Sequence, residues 1–207
     1  MRVVMIDVDG VLVCGRPLDG RHLFTDLEKD LGFSLEVLRQ EFFVPRWTSI
    51  VTGKRPLKPE LAEVLQTIAP HVDADTLIKY WFENDSRVSL DVLDAIDTIR
   101  SNGVKVFLAT NQEHMRANYL MNDMGLSASV DGIFYSAALG YRKPATEFYE
   151  RATIEAGVAA SQIAFIDDTL ENIEAATAFG WNAFHWKPES KGEDITLFMD
   201  SATSGGS

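Results

Sequence analysis

The chain has 207 residues, of which 46% are hydrophobic and 24% charged, so it is long enough for one buried core with a modest insertion. Its formal net charge of -12 disfavours nucleic acid and anionic membranes as partners, because like charges repel. Cys14 is the single cysteine, which excludes an intrachain disulfide and a zinc site built from several thiolates. We interpret Cys14 as a small apolar filler near the first turn, with a reactive thiol as the alternative.

The first predicted element is a buried strand over residues 2–7, followed by a turn that contains Asp7, Asp9 and Gly10. Two nearby carboxylates repel unless a cation, a proton or a polar network compensates them. The pair therefore indicates a divalent metal, a division into nucleophile and acid, or both; a plain Asp-Gly turn is the alternative. The strand leaves no room for a preceding signal peptide and no run is long enough for a membrane span, so we expect a cytoplasmic protein.

Residues 17–87 contain no convincing strand, and prolines separate several helical patterns within them. The predicted helices of this segment cover residues 23–31, 35–43, 57–69 and 74–83. We expect a small all-helical cap domain, inserted after the first strand and able to cover its carboxyl end. A helical layer packed on the sheet is the alternative. The linking segments 14–16 and 87–89 are the expected hinges of a cap that closes on substrate.

The remainder of the chain alternates between helical patterns and short apolar runs. The predicted strands cover residues 104–109, 132–135, 163–166 and 182–186, and the predicted helices cover residues 90–101, 113–124, 146–156 and 169–179. This alternation predicts an α/β fold, a Rossmann-like parallel sheet flanked by helices, with its core in residues 1–16 and 88–200. Residues 201–207 are rich in small and polar residues and predict a flexible tail.

Polar residues recur where these later strands end. Thr110 and Asn111 follow the second strand and could hydrogen-bond an anion, although both residue types also cap helices. Lys143 precedes a helix and could carry positive charge to a phosphate or a carboxylate, whereas an isolated lysine is more often a solvated surface group. Asp167 and Asp168 form a second acidic pair, and hard oxygen ligands in a compact site suit Mg²⁺.

These motifs together resemble the haloacid dehalogenase superfamily. The resemblance rests on Asp-x-Asp-Gly at 7–10, the strand-end Thr110, the Lys-Pro pair at 143–144 and Asp-Asp-x-x-x-Asn at 167–172. It extends from residue 3 to about residue 185. The chain is most similar to the phosphatase branch whose helical cap lies between the first two motifs. The later motifs look like those of sugar-phosphate phosphatases and of the phosphatase half of some epoxide hydrolases.

The resemblance implies a role for each motif residue. Asp7 would be the nucleophile that forms an aspartyl-phosphate, and Asp9 would protonate the leaving alcohol and later activate water. Thr110 and Lys143 would bind the transferring phosphoryl group, and Asn111 would assist through the adjacent backbone. Carboxylate nucleophiles and a pair of carboxylates with separated pKa values are chemically consistent with these roles.

The resemblance also implies a magnesium site. Asp7, the backbone carbonyl of Asp9 and Asp168 would contact the ion, with Asp167 either a direct ligand or a group that orients a bound water. Asn172 would support this loop. The metal would reverse the local potential of a strongly acidic protein, which an anionic substrate must approach.

Asp9 separates the candidate reactions. Enzymes of this superfamily that displace halide resemble the phosphatases but lack an acid two residues after the nucleophile, since a halide needs no proton. We therefore expect a Mg²⁺-dependent phosphatase acting on a small phosphorylated metabolite, such as a sugar phosphate. A phosphomutase on the same core is the closest alternative, followed by a 2-haloacid dehalogenase and a non-catalytic binding protein.

The cap is the expected source of substrate specificity. Arg46 and Trp47 could pair a hydrogen-bonding fork with an apolar ring, which suits a sugar face. Arg21, His22 and Lys54 are further candidates, and for each the alternative is a place in the core or on the surface of the cap. Monomer and homodimer both remain open, because no heptad seam is present.

Overall fold

The computed structural model describes residues 1–204, with side chains to Ser201, and contains a five-stranded, wholly parallel sheet. The strands are β1 Val3–Ile6, β2 Lys105–Thr110, β3 Gly132–Tyr135, β4 Ile163–Asp167 and β5 Asn182–His185. Their spatial order is β3-β2-β1-β4-β5. The α/β fold with a parallel sheet flanked by helices is therefore confirmed.

The register of the central strand decides which chain ends meet. Ile6 lies opposite Leu108 on one side and Ile166 on the other, so β1 is hydrogen-bonded along both edges. A strand buried on both faces reads as a continuous apolar run, which is why the segment is recognisable in the sequence. The backbone N–H of Asp7 donates to the carbonyl of Ile166 at 2.9 Å, so the first and second acidic pairs are neighbours.

The segment 17–87 is helical, as predicted. Its helices are α1 Leu27–Leu31, α2 Leu35–Leu38 with a π-helical continuation Arg39–Phe43, α3 Val44–Val51, α4 Leu57–Ile68 and α5 Ala74–Asn84. Helix α3 is not among the predicted helices, because Pro45 looks like a break in the sequence, whereas proline is compatible with the first turn of a helix. Buried side chains of this insertion form a hydrophobic cluster of their own, which includes Phe42 and Leu61.

Helices cover both faces of the sheet. They are α6 Leu90–Ser101, α7 His114–Asn118 with a π-helical continuation Tyr119–Asp123, α8 Ser136–Leu139, α9 Thr146–Ala156, α10 Leu170–Phe179 and α11 Gly192–Ser204. Successive side chains of a strand point to opposite faces. Val4 and Ile6 accordingly join the cluster that contains residues of α6 and α11, while Val3 and Met5 join the cluster that contains residues of α9 and α10.

The C-terminal segment differs from the predicted tail. Residues 201–204 continue α11, while residues 205–207 lie outside the described part of the chain. The helix is anchored by Ile195 and Met199, which are buried against the sheet, and this tertiary packing extends a segment whose composition favours a coil. None of the helices within residues 1–204 combines the length and apolar character that crossing a bilayer requires.

Candidate active site

The polar strand ends converge at the carboxyl edge of the sheet. Asp7 directly follows β1, Thr110 ends β2 and Asp167 ends β4. The chain moves outward from β1 to β3 on one side and from β4 to β5 on the other, so the connections diverge between β1 and β4. Open α/β sheets bind their ligands at such a switch point. The sheet order therefore brings all three predicted strand-end motifs together.

Lys143 is the cation of this edge. Its ammonium lies 2.9 Å from Asp7 Oδ1, and it donates to Asp167 Oδ2 at 2.6 Å and to the Ala109 carbonyl at 2.7 Å. The side chain is 1% exposed, so the interpretation as a solvated surface lysine is wrong. Its backbone is fixed by Asn111, whose Oδ1 accepts from the Lys143 N–H at 2.8 Å and whose Nδ2 donates to the Lys143 carbonyl at 3.0 Å.

Burial and charge shift the pKa values of Asp7 and Lys143. Burial raises the pKa of Asp7 to about 7, and the negative charges of Asp167 and Asp9 add to the rise while Lys143 opposes it. Burial alone would lower the pKa of Lys143, but the charges of Asp7 and Asp167 outweigh that effect and raise it. Lys143 therefore stays positively charged at neutral pH, whereas Asp7 exchanges its proton in that range. The same surroundings therefore favour the charged form of Lys143 and the neutral form of Asp7.

Three carboxylates form a cluster that can hold a metal ion. One oxygen each from Asp7, Asp167 and Asp168 lies within 4.8 Å of the others. Asp167 is fully buried and already accepts hydrogen bonds from Lys143, the Thr169 N–H and Asn172. The Asp168 carboxylate is exposed and accepts one bond, from the Thr169 hydroxyl at 3.2 Å. The oxygens of Asp168 are therefore more available to bind a metal ion, whereas the carboxylate of Asp167 is held more firmly by hydrogen bonds.

Gly10 makes room for this cluster. Its φ is +83°, and a Cβ atom at this position would collide with the Asp168 carboxylate. Only glycine accepts both the left-handed backbone and the close approach. The glycine of the first motif therefore has a second purpose, which its interpretation as part of a turn does not anticipate. Hard carboxylate oxygens in this compact cradle fit Mg²⁺, which prefers a few carboxylates and completes its shell with water and substrate oxygens.

The raised pKa of Asp7 predicts how the effect of added Mg²⁺ on stability depends on pH. A carboxyl whose pKa rises from 3.8 to about 7 on folding contributes stability at low pH that is lost as pH rises through 7. At pH 5 a cation must displace that proton, and at pH 8 it need not. Mg²⁺ at a hundredfold excess over its Kd stabilises the folded protein by about 2.7 kcal/mol. We therefore expect Tm to rise by roughly 5–10 °C at pH 8 and by distinctly less at pH 5.

Asp168→Asn is the matched control for this measurement. It removes one charged ligand without touching the Lys143 pair, so the Mg²⁺-dependent rise in Tm should largely disappear at both pH values. Thermal unfolding with and without Mg²⁺ at pH 5 and pH 8 provides the four required values. Equal shifts at the two pH values, or an undiminished shift in the variant, would contradict the assignment of the ion to this cluster.

Asp9 lies at the mouth of the site, outside the three-carboxylate cluster. The residue reaches solvent, while its carboxylate is surrounded by protein and accepts a hydrogen bond from Gln112 Nε2 at 2.7 Å. Burial and then the negative charge of Asp85 raise the pKa of Asp9 to about 6, against the opposing effects of Arg116 and the Gln112 hydrogen bond. A carboxyl with this pKa can hold and release a proton near neutral pH, as a general acid requires.

The Thr110 hydroxyl is buried and finds no hydrogen-bond partner among the described residues. Because buried hydroxyls are nearly always bonded, this oxygen is suited to a ligand that enters the site.

Gln112 is absent from the sequence-based candidates, since a glutamine two residues after a strand end carries no signal of its own.

Arg46 and Trp47 are occupied within the helical insertion. Arg46 donates to Glu60 at 2.8 Å and to Glu63 at 3.0 Å. The Trp47 ring lies 5.4 Å from that of Trp81, measured between centroids. These contacts favour the interpretation that both residues stabilise the insertion. Substrate binding by Arg46 and Trp47 remains a prediction.

The remaining candidates of the insertion also have local contacts. Arg21 pairs with Asp19 at 2.6 Å and Asp26 at 3.1 Å, and the His22 ring accepts a hydrogen bond from the Phe24 N–H. Lys54 is exposed. The described contacts therefore give Arg21 and His22 a local structural role and leave Lys54 available at the surface.

Comparison with known proteins gives matches that extend over nearly the whole chain. A model of haloacid dehalogenase-like hydrolases matches residues 1–180. The HAD family enzyme bt-2542 of Bacteroides thetaiotaomicron, crystallised with magnesium and inorganic phosphate, superposes with a TM-score of 0.79 over 94% of this chain and 98% of that one, at 17% identity. A dehalogenase superposes with a TM-score of 0.64 over 92% of this chain and 86% of its own, at 16% identity.

A curated relative matches a shorter segment. The sesquiterpene phosphatase astK of Aspergillus oryzae (strain ATCC 42149 / RIB 40) is 37% identical over 87 residues. This match covers 42% of the chain and 44% of the relative, less than half of either protein. The superposed structures, below 20% identity, show a shared fold and do not distinguish one reaction of that fold from another.

Proposed function

Since this chain belongs to the haloacid dehalogenase-like hydrolases, we propose that it is a magnesium-dependent phosphatase that hydrolyses phosphate monoesters through an aspartyl-phosphate. The observation that carries the proposal is the pair Asp7 and Asp9, placed in different environments at one sheet edge. Asp7 lies buried against Lys143, and Asp9 lies at the mouth with its pKa raised to about 6. An alkoxide leaving group needs that proton, whereas a halide does not.

In the first step an Asp7 oxygen attacks phosphorus, and the bond between phosphorus and the ester oxygen breaks. Asp9 gives its proton to the departing oxygen, so an alcohol leaves and Asp9 becomes ionised. We expect Lys143 and the Thr110 hydroxyl, which has no hydrogen-bond partner among the described residues, to bind the oxygens of the transferring group. When bound at Asp7, Asp167 and Asp168, Mg²⁺ would neutralise negative charge on that group.

The second step regenerates the enzyme. Ionised Asp9 takes a proton from a water molecule, whose oxygen attacks phosphorus as the bond to Asp7 breaks. Inorganic phosphate leaves, and Asp9 is again protonated. Splitting one difficult displacement into two steps is the usual advantage of a carboxylate nucleophile.

The leaving group distinguishes two substrate classes. The motifs of the chain resemble those of sugar-phosphate phosphatases, which favours a polar alcohol. The curated relative is named for a sesquiterpene, which favours an apolar alcohol, and the insertion carries clustered rings of Phe43, Trp47 and Trp81 that could pack against one. We propose both classes as substrates to be tested.

A panel of phosphate monoesters tests the proposal directly. We expect phosphate release from sugar phosphates, farnesyl phosphate or both with Mg²⁺, and loss of release with EDTA that added Mg²⁺ restores. The class with the higher kcat/KM identifies the leaving group. A phosphorylated isomer without free phosphate would indicate a mutase, halide release from a chloroacid would indicate a dehalogenase, and no turnover of any compound by folded protein would contradict an enzymatic role.

A further inference from the structure

The contact between Gln112 and Asp9 joins segments that lie far apart in the chain. Gln112 is 4% exposed, and its Nε2 donates to Asp9 Oδ2 at 2.7 Å across a separation of 103 residues. An ionised carboxylate only accepts hydrogen bonds, so the amide must turn its N–H₂ group toward Asp9. Within the described residues this is the one side-chain hydrogen bond of the Asp9 carboxylate.

Gln112 is itself held firmly. Its backbone carbonyl accepts from the Ala137 N–H at 3.1 Å and lies 3.1 Å from the Ser136 hydroxyl. The same hydroxyl lies 2.6 Å from the carbonyl of Val51, at the end of α3 in the helical insertion. Gln112 is therefore fixed by α8 and, through the Ser136 hydroxyl, by the insertion, while Asp9 lies in the loop that follows β1.

Orientation matters for a group that must protonate a leaving oxygen. A misplacement of about 1 Å can lower a rate roughly 10²-fold, because the proton must be delivered along the breaking bond. Without this amide, no side chain of the described residues would hold the Asp9 carboxylate by a hydrogen bond. The amide of Gln112 restricts Oδ2 and, because it donates a hydrogen bond there, leaves Oδ1 as the oxygen that carries the proton.

We propose that Gln112 is a positioning residue that holds the Asp9 carboxylate in the orientation from which its proton reaches the leaving alcohol. This inference rests on the proposed phosphatase function. It assigns to Gln112 an effect on one chemical step, expulsion of the leaving group, and none on phosphate binding, which belongs to Thr110 and Lys143.

Leaving-group dependence provides the test. Expulsion of 4-nitrophenolate needs little help from an acid, whereas expulsion of phenolate needs a proton, and kcat/KM reports this step because it is the first irreversible one. For Gln112→Met we expect kcat/KM on phenyl phosphate to fall about 10- to 100-fold and that on 4-nitrophenyl phosphate to fall less than about 3-fold. A merely structural role would lower both values by the same factor.

Three further variants complete the experiment. Gln40→Met removes a similar amide-to-carboxylate bond, to Glu36 on the surface, and should change neither value. Gln112→Asn keeps the amide but shortens its reach, so we expect a smaller change of the same kind. This variant serves as the test if Gln112→Met does not fold. In an Asp9→Asn background, Gln112→Met should add no further leaving-group dependence, since the group that it positions is gone.

The outcomes separate the inference from the function. Turnover of both esters by the wild type, with unequal losses in Gln112→Met, supports the inference. Turnover by the wild type with equal losses, or none, overturns the role of Gln112 alone. No Mg²⁺-dependent turnover of these esters, or of any phosphate monoester of the panel, by the folded wild type overturns the proposed function and the inference together.

Discussion

Asp7→Asn is expected to abolish phosphate release, by at least about 10⁴-fold, because an amide cannot act as the nucleophile. The substitution keeps the size of the side chain, and Lys143 retains its bond to Asp167 at 2.6 Å, so the site should stay assembled. Phosphate release measures the loss. Acid quenching of the wild type during turnover, followed by mass spectrometry, should locate one phosphoryl group on the peptide that contains Asp7.

Stability measurements show whether the variant fails for chemical reasons. The wild-type protein without Mg²⁺ should lose free energy of unfolding as pH rises through 7, because the pKa of Asp7 is raised to about 7. The amide introduced by Asp7→Asn has no such proton to lose, so this variant should show a smaller loss of stability between pH 5 and pH 8. Turnover that survives in a folded Asp7→Asn protein would contradict the aspartyl-phosphate mechanism.

Lys143→Met is expected to have the largest effect on stability. The ammonium is the cation that contacts both Asp7 and Asp167, and methionine fills similar volume without charge. Leaving buried carboxylates unpaired should lower the free energy of unfolding by about 3–5 kcal/mol at pH 8. The loss should be smaller at pH 5, where Asp7 carries a proton and less negative charge is left without a partner. Chemical denaturation at the two pH values measures the difference.

Catalysis should fall in the same variant. Loss of the cation that we propose binds the phosphoryl group should lower kcat by about 10²- to 10³-fold, measured at a temperature where the protein is folded. Lys29→Met replaces an exposed lysine in α1 and should change stability by no more than about 0.5 kcal/mol. A Lys143→Met protein as stable as Lys29→Met at pH 8 would show that the Asp7–Lys143–Asp167 arrangement does not exist in solution.

The strands are predictable because a strand that is buried on both faces of the sheet consists of a continuous run of apolar residues. Runs such as residues 163–166 carry the apolar continuity of parallel strands, and all five predicted strands are present. Local signals are less reliable in the insertion and at the C-terminus. Pro45 resembles a break but lies in the first turn of α3, and residues 201–204 extend α11 rather than a tail. Whether these segments become helical depends on packing against residues that lie far away in the sequence.

The family is also predictable, and the match over residues 1–180 confirms it. Four short motifs in a set order at strand ends are specific even when each alone is weak. The helical composition of the insertion is predictable from its periodicity. Whether the insertion acts as a cap, and which of its residues meet substrate, stays a prediction.

Residue types and their order therefore sufficed for the sheet and the family, because strand ends and charged motifs are local properties of the chain. The roles of Asp7, Asp9, Lys143 and Asp168 stay predictions from the same motifs. The partners of these groups depended on the folded arrangement. The contact between Gln112 and Asp9 spans 103 residues, and Lys143 meets Asp7 only because β1 lies between β2 and β4. Burial, which raises the pKa values of Asp7 and Asp9, likewise arises only when distant segments exclude water together.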